Sequence, residues 1–144
     1  MFGVSPADVL KIKSMALKQN RQYKIAVVED EPSIRNLYLT KLELCGFVVQ
    51  TAANGHEGLA LVESFQPDVV LLDLMMPEMN GTDMLVKVRE QEWGADMRVI
   101  ILTNISRNEA PSMLRLLSVD RYIVKAHYTP SQMVEIVNEV LHLQ

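Results

Sequence analysis

The chain is short of cysteine, of glycine-rich loops and of long apolar runs. Cys45 is the single cysteine in 144 residues, which excludes an internal disulfide, and its place beside an apolar helical pattern points to a buried thiol. No stretch approaches the roughly 18 apolar residues of a membrane span, and the N-terminus lacks the apolar centre of a signal peptide. A soluble cytoplasmic protein with no membrane span is therefore expected. No P-loop or glycine-rich strand-to-helix loop is present, which disfavours a nucleotide or flavin module. Internal repeats, low-complexity tracts and interdomain linkers are also absent. The length suits one domain with a sizeable core, and no second effector domain fits.

Charge is unevenly spread. The net charge is −4, but residues 1–24 carry five basic groups and one acid, whereas residues 25–144 carry nine basic and seventeen acidic groups, a net −8. An acidic body would repel phosphate, so no direct nucleic-acid binding is expected. It suits a divalent cation or a basic partner surface instead.

What is present is a regular alternation of periods. The N-terminal stretch (1–22) opens with Ser5, Pro6 and Asp8 in capping register, predicting a helical extension ahead of a main domain over 23–144. That helix suits dimerisation or docking, a membrane surface, or only a structural part, lying against the domain or serving as a mobile leader. From Lys24 to Val28 the chain reads as a buried strand. A helix begins at Pro32, with Ile34, Leu37 and Leu44 as its inner side and Gly46 at its end. A second strand spans 47–51, and a second helix is capped by Asn54 with Glu57 three residues on. The run Val69, Val70, Leu71, Leu72 reads as a strand buried on both faces. Further elements are a third helix over about 82–92, a fourth strand over 98–103 and a fourth helix starting no earlier than about Asn108. Arg121 to Lys125 form a fifth strand, and Thr129, Pro130 and Gln132 cap a final amphipathic helix. Five strands alternating with five helices predict a doubly wound α/β fold, its parallel sheet covered on both faces.

Polar groups collect where the strands end: Glu29 and Asp30 after the first, Asp73 after the third, Thr103 at the end of the fourth and Lys125 closing the fifth. Each alone is an ordinary cap or turn residue. Together, on one edge of a sheet whose strands lie about 4.8 Å apart, they make a candidate site.

The motif DLMMPEMNG from Asp73 to Gly81, with VVEDEP earlier and Thr103, Tyr122 and Lys125 in order and spacing, resembles the receiver domain of two-component response regulators over about residues 23–144. The resemblance implies a flavodoxin-like sheet in the order 2-1-3-4-5. It implies that Asp73 accepts a phosphoryl group from a sensor histidine kinase or histidine phosphotransfer protein, forming an acyl phosphate. Close carboxylates repel by about 4 kcal/mol per pair at 4 Å and an effective dielectric of about 20. A cation is needed, and the resemblance makes it Mg²⁺, with Mn²⁺ able to substitute. Glu29, Asp30, Asp73 and the backbone carbonyl of Met75 are the implied ligands, Glu29 partly through water. Lys125 would pair with Asp73 and then with phosphate. Thr103 would donate its hydroxyl to the new phosphate while Tyr122 swings inward, remodelling the face made by the fourth helix, fifth strand and fifth helix for a downstream protein target.

Several residues depart from the family pattern. Glu29 stands where Asp is usual. Met75 and Asn104 are bulkier or less polar than is common, which predicts a long-lived phosphoryl group. Ala126 replaces the proline after the lysine, and a cis bond there would cost about 2.5–4 kcal/mol, so a trans or rearranged loop is expected. His127 reads as a solvated loop residue. The reading is a phosphorylation switch whose leader could pair two copies as a homodimer, and not an enzyme acting on a small molecule. A pseudo-receiver that binds partners without phosphorylation is the alternative. A haloacid-dehalogenase-type phosphatase would need a second Asp two residues after the nucleophile, where Met75 stands.

Overall fold

The computed structural model describes residues 3, 5–10 and 22–143. Five strands form one parallel sheet: β1 (Lys24–Val28), β2 (Val48–Ala52), β3 (Val69–Leu72), β4 (Arg98–Thr103) and β5 (Arg121–Val124), in the order β2-β1-β3-β4-β5. Four α-helices join or follow them: α1 (Pro32–Leu44), α2 (Gly55–Phe65), α3 (Gly81–Arg89) and α4 (Pro130–Val140). The fourth crossover is helical too, but of 3₁₀ type, over Arg107–Glu109 and Ser112–Leu116. Pro111 supplies no amide hydrogen, and it lies between the two short segments as the cap of the second. A continuous helix starting near Asn108 is not what forms.

The buried strands carry apolar residues on both faces because helices cover both. Ala26, Val28, Val70, Leu72, Val99 and Ile101 pack with Val62, Met84, Leu85 and Val88 from α2 and α3. Ile25, Val27, Val69, Leu71, Ile100, Leu102 and Ile123 face Tyr38 and Leu42 of α1 and Met133, Val134 and Val137 of α4. Each such aliphatic side chain withdrawn from water contributes about 1.5–3 kcal/mol.

Helix caps follow the predicted residues. Asn54 accepts from the Glu57 amide at 2.9 Å. Thr129 and Gln132 form a reciprocal capping box. Ser5 accepts from the Asp8 amide at 3.1 Å and residues 6–10 are helical. The dimerising, docking or membrane-surface roles expected of the leader fall largely on residues outside the described ones.

α1 is rotated from its predicted phase. Tyr38 and Leu42 are its buried residues, while Leu37 is 50% and Leu44 80% exposed. Cys45 is likewise exposed, correcting the expected buried thiol. It caps the helix C-terminus after Leu44, so no further turn carries it back to the core. Lys125 also moves: β5 stops at Val124, and Lys125 begins a 3₁₀ turn to His127.

Candidate functional site

Strand register builds the site. Val28 pairs with Leu72 and Leu72 with Ile101, so Glu29 and Asp73 each sit one residue past paired strand ends. The Asp73 amide donates to the Val28 carbonyl at 3.1 Å. Thr103 pairs with Val124, which sets Lys125 one residue beyond the same edge. The resulting open cleft, about 470 Å³, is lined by Glu29, Asp30, Asp73, Thr103 and Lys125, with Met75, Asn104, Ile105 and Glu109 on its rim and walls.

Ligand-capable oxygens of Glu29, Asp30 and Asp73 all lie within 4.8 Å of one another. Lys125 Nζ bridges two of these acids, donating to Glu29 Oε2 at 2.5 Å and to Asp73 Oδ2 at 3.0 Å. The Met75 amide donates to Asp73 Oδ1 at 3.2 Å, and the Glu31 amide to Glu29 Oε1 at 3.2 Å. Burial pushes the Glu29 carboxyl above its ordinary pKa; the hydrogen bond from Lys125 opposes this and the neighbouring Asp73 charge adds to it. Burial works to lower the Lys125 ammonium, but hydrogen bonds to Glu29 and Asp73 outweigh it and hold the pKa above the ordinary lysine value.

Three features fit a hard divalent cation beside an incoming anion. The clustered donors are carboxylates, which suit Mg²⁺. One ammonium faces two buried acids, leaving negative charge to offset. Thr103 Oγ1 is the one buried side-chain nitrogen or oxygen without a hydrogen-bond partner among the described residues. An orphaned buried hydroxyl costs about 1–3 kcal/mol, an expense that a group waiting for an acceptor explains.

The remaining expected residues are placed as follows. Tyr122 does not line the cleft; its hydroxyl donates to the carbonyl of the lining residue Ile105 at 2.7 Å, and the Arg107 guanidinium lies 5.8 Å from its ring centre. No cis peptide occurs among the described residues, so the Lys125–Ala126 bond is trans as expected, and Lys125 still reaches Asp73. His127 is exposed. Met75 is 63% exposed at the rim.

Two supporting roles lie outside the sequence reading, which names Gly81 only as the end of the motif and does not name Arg35. Gly81 opens α3 so close to the site that a Cβ there would lie 2.1 Å from the Asp73 carbonyl oxygen. Arg35 folds back from α1 to donate to the carbonyls of Glu29 and Asp30 at 2.9 and 3.2 Å. Its signal was a cation one turn into a helix that follows an acidic turn, since helical side chains lean toward the N-terminus.

A family model for the response regulator receiver domain matches residues 25–138. The chain belongs to the response regulator receiver family. This receiver is 32% identical over 134 residues to a probable transcriptional regulator ycf27 of Guillardia theta, covering 92% of the chain and 51% of that protein. It is 37% identical over 84 residues to the DNA-binding dual master transcriptional regulator RpaA of Synechocystis sp., covering 58% of the chain and 35% of that protein. The chemotaxis response regulator CheY4 of Vibrio cholerae has the same fold, with a TM-score of 0.77 and 28% identity over 83% of this chain and 99% of that one.

The receiver spans about half the length of the ycf27 relative. The expectation of no direct nucleic-acid binding is overturned by these relatives, which are named as transcriptional and DNA-binding regulators. The acidic charge count speaks only for residues that correspond to part of each relative, and net charge averages over a surface that can still carry local basic patches. No helix among the described residues is long and apolar enough to cross a membrane.

Proposed function

We propose that Asp73 is the phosphoacceptor of this receiver and that a histidine kinase or histidine phosphotransfer protein is the donor. One observation carries the reading: Asp73 is buried at the centre of the cleft, with Lys125 on one oxygen and the Met75 amide on the other. A carboxylate oxygen of Asp73 attacks phosphorus, the bond to the donor's imidazole nitrogen breaks, and its electron pair returns to the ring. Lys125 then exchanges its contact with Asp73 for a phosphate oxygen, and Thr103 gains the acceptor its hydroxyl lacks.

Glu29, Asp30, Asp73 and the Met75 carbonyl would hold Mg²⁺, or Mn²⁺ in its place, which supplies charge neutralisation for the transferring group. The chain acts on no separate small-molecule substrate. The change propagates when Thr103 draws its loop inward and Tyr122 leaves the Ile105 carbonyl, repacking the face formed by Ser112–Leu116, β5 and α4 for a downstream target. The relatives named as transcriptional regulators point to a nucleic-acid-linked output, in the cytoplasm.

Beryllofluoride, an acyl-phosphate mimic, tests the switch. With Mg²⁺ it should shift the NMR resonances of Thr103, Ile105 and Tyr122. No Mg²⁺-dependent shift would favour a pseudo-receiver that works without phosphorylation.

A further inference from the structure

The turn that carries two of the three clustered acids keeps the Glu29 amide on the Ala52 carbonyl at 3.0 Å but leaves two of its carbonyls without a backbone donor among the described residues. β1 ends at Val28, and the first helical bond of α1 runs from the Arg35 amide to the Glu31 carbonyl at 2.9 Å. The carbonyls of Glu29 and Asp30 fall between these two ladders. Both accept instead from Nη1 of Arg35, at 2.9 and 3.2 Å.

A trans peptide is planar, with its C=O and N–H pointing in opposite directions. The Asp30 carbonyl and the Glu31 amide belong to one such unit. Arg35 fixes the carbonyl on the helix side; the amide is thereby aimed back into the cleft, where it donates to Glu29 Oε1 at 3.2 Å. The other oxygen of Glu29 accepts from Lys125. Rotation of this one peptide would release Glu29 Oε1 and turn the backbone bearing Asp30.

We infer that Arg35 is a positioning residue: by anchoring the Asp30–Glu31 peptide it holds the carboxylates of Glu29 and Asp30 in the geometry that binds a divalent cation. This rests on the Mg²⁺ reading of the cleft given above. The role of the guanidinium runs through the two backbone carbonyls that it holds. Both contacts come from the single nitrogen Nη1, so a lysine ammonium, with several donors on one nitrogen but a stem one bond shorter, would keep them only in part.

Isothermal calorimetry of Mg²⁺ binding to the full chain tests the inference, with thermal melting in chelator alongside. Three variants are compared with the unsubstituted protein: Arg35→Ala, Arg35→Lys, and Val62→Ala, a buried α2 substitution remote from the turn that controls for general loss of stability. Arg35→Ala should weaken Mg²⁺ binding at least fivefold, Arg35→Lys by less, and Val62→Ala by under twofold despite a lower melting temperature. Labelling by acetyl phosphate should recover in Arg35→Ala at saturating Mg²⁺, because Arg35 acts on affinity and not on transfer. Should Arg35→Ala not fold, the Arg35→Lys to unsubstituted ratio decides. Mg²⁺ affinity unchanged within twofold in the folded Arg35 variants, or reduced equally in Val62→Ala, overturns the role of Arg35. Failure of the unsubstituted protein to bind Mg²⁺ instead removes the cation reading on which it stands.

Discussion

Lys125 is the residue on which the charge of the cleft balances. Its ammonium is shared between Glu29 and Asp73, both buried, and removing one partner of a buried ionic group commonly costs about 3–5 kcal/mol because the other charge is left uncompensated. The Lys125→Met variant should therefore melt well below the parent in chelator, and added Mg²⁺ should restore part of the loss. Glu29 gives the complementary case. Its pKa is raised in the folded state, so the stability its carboxyl contributes is fully present below the ordinary value of 4.5 and is lost as pH rises through the raised one. Without metal, a Glu29→Gln variant should then melt above the parent at neutral pH, with the gap closing toward pH 4.5. A lower melting temperature at neutral pH would contradict this. Such instability in the unloaded state is the usual cost of a charged functional site. Met75 presents its largely exposed side chain at the cleft rim, where it can restrict attacking water. The phosphoryl group should outlast that of a Met75→Asn variant when both are followed without phosphatase; equal or faster loss from the parent would refute the assignment.

At the scale of elements, α3 is docked on the site through its first residue. The Gly81 amide donates to the Leu74 carbonyl at 3.1 Å, and no side chain fits between the helix and the Asp73 carbonyl. A Gly81→Ala substitution must push α3 and the end of β3 apart; a destabilisation of about 1–3 kcal/mol together with slower labelling at Asp73 is expected. Denaturant melts and labelling rates check both. Strands and caps were legible in the sequence because each is encoded locally: Val69 to Leu72 by an unbroken apolar run, Thr129 and Gln132 by capping-box spacing. The phase of α1 was not. Leu37 and Leu44 are apolar like true core residues, and only the packing of Tyr38 and Leu42 against the sheet decides which side turns inward. The fourth crossover was misread for a related reason: Pro111 limits where a helix can start, but the proline alone does not say that two 3₁₀ turns will replace it. In the site, the acids, Thr103 and Lys125 were readable as strand-end residues, whereas Arg35 acts through backbone carbonyls that leave no pattern in side-chain identity.

The whole molecule is a buried parallel sheet with the candidate site along one edge. β1, β3 and β4 are buried along their length and fix Glu29, Asp73 and Thr103 relative to one another. The adjoining 3₁₀ turns and the Tyr122 contact to Ile105 are the parts that the proposed switch would repack. Phosphorylation would replace the single charge of the Asp73 carboxylate with a phosphoryl dianion, about one added negative charge, and would bias the edge toward a second packing by giving Lys125 and Thr103 a shared acceptor. This account depends on the phosphoryl group arriving at Asp73 itself. Peptide mapping by mass spectrometry after incubation with acetyl phosphate and Mg²⁺ tests it most directly. The account predicts one phosphoryl group, carried on the peptide containing Asp73, absent when Mg²⁺ is chelated and absent from an Asp73→Asn variant. Modification on another peptide, or undiminished labelling of that variant, would contradict it.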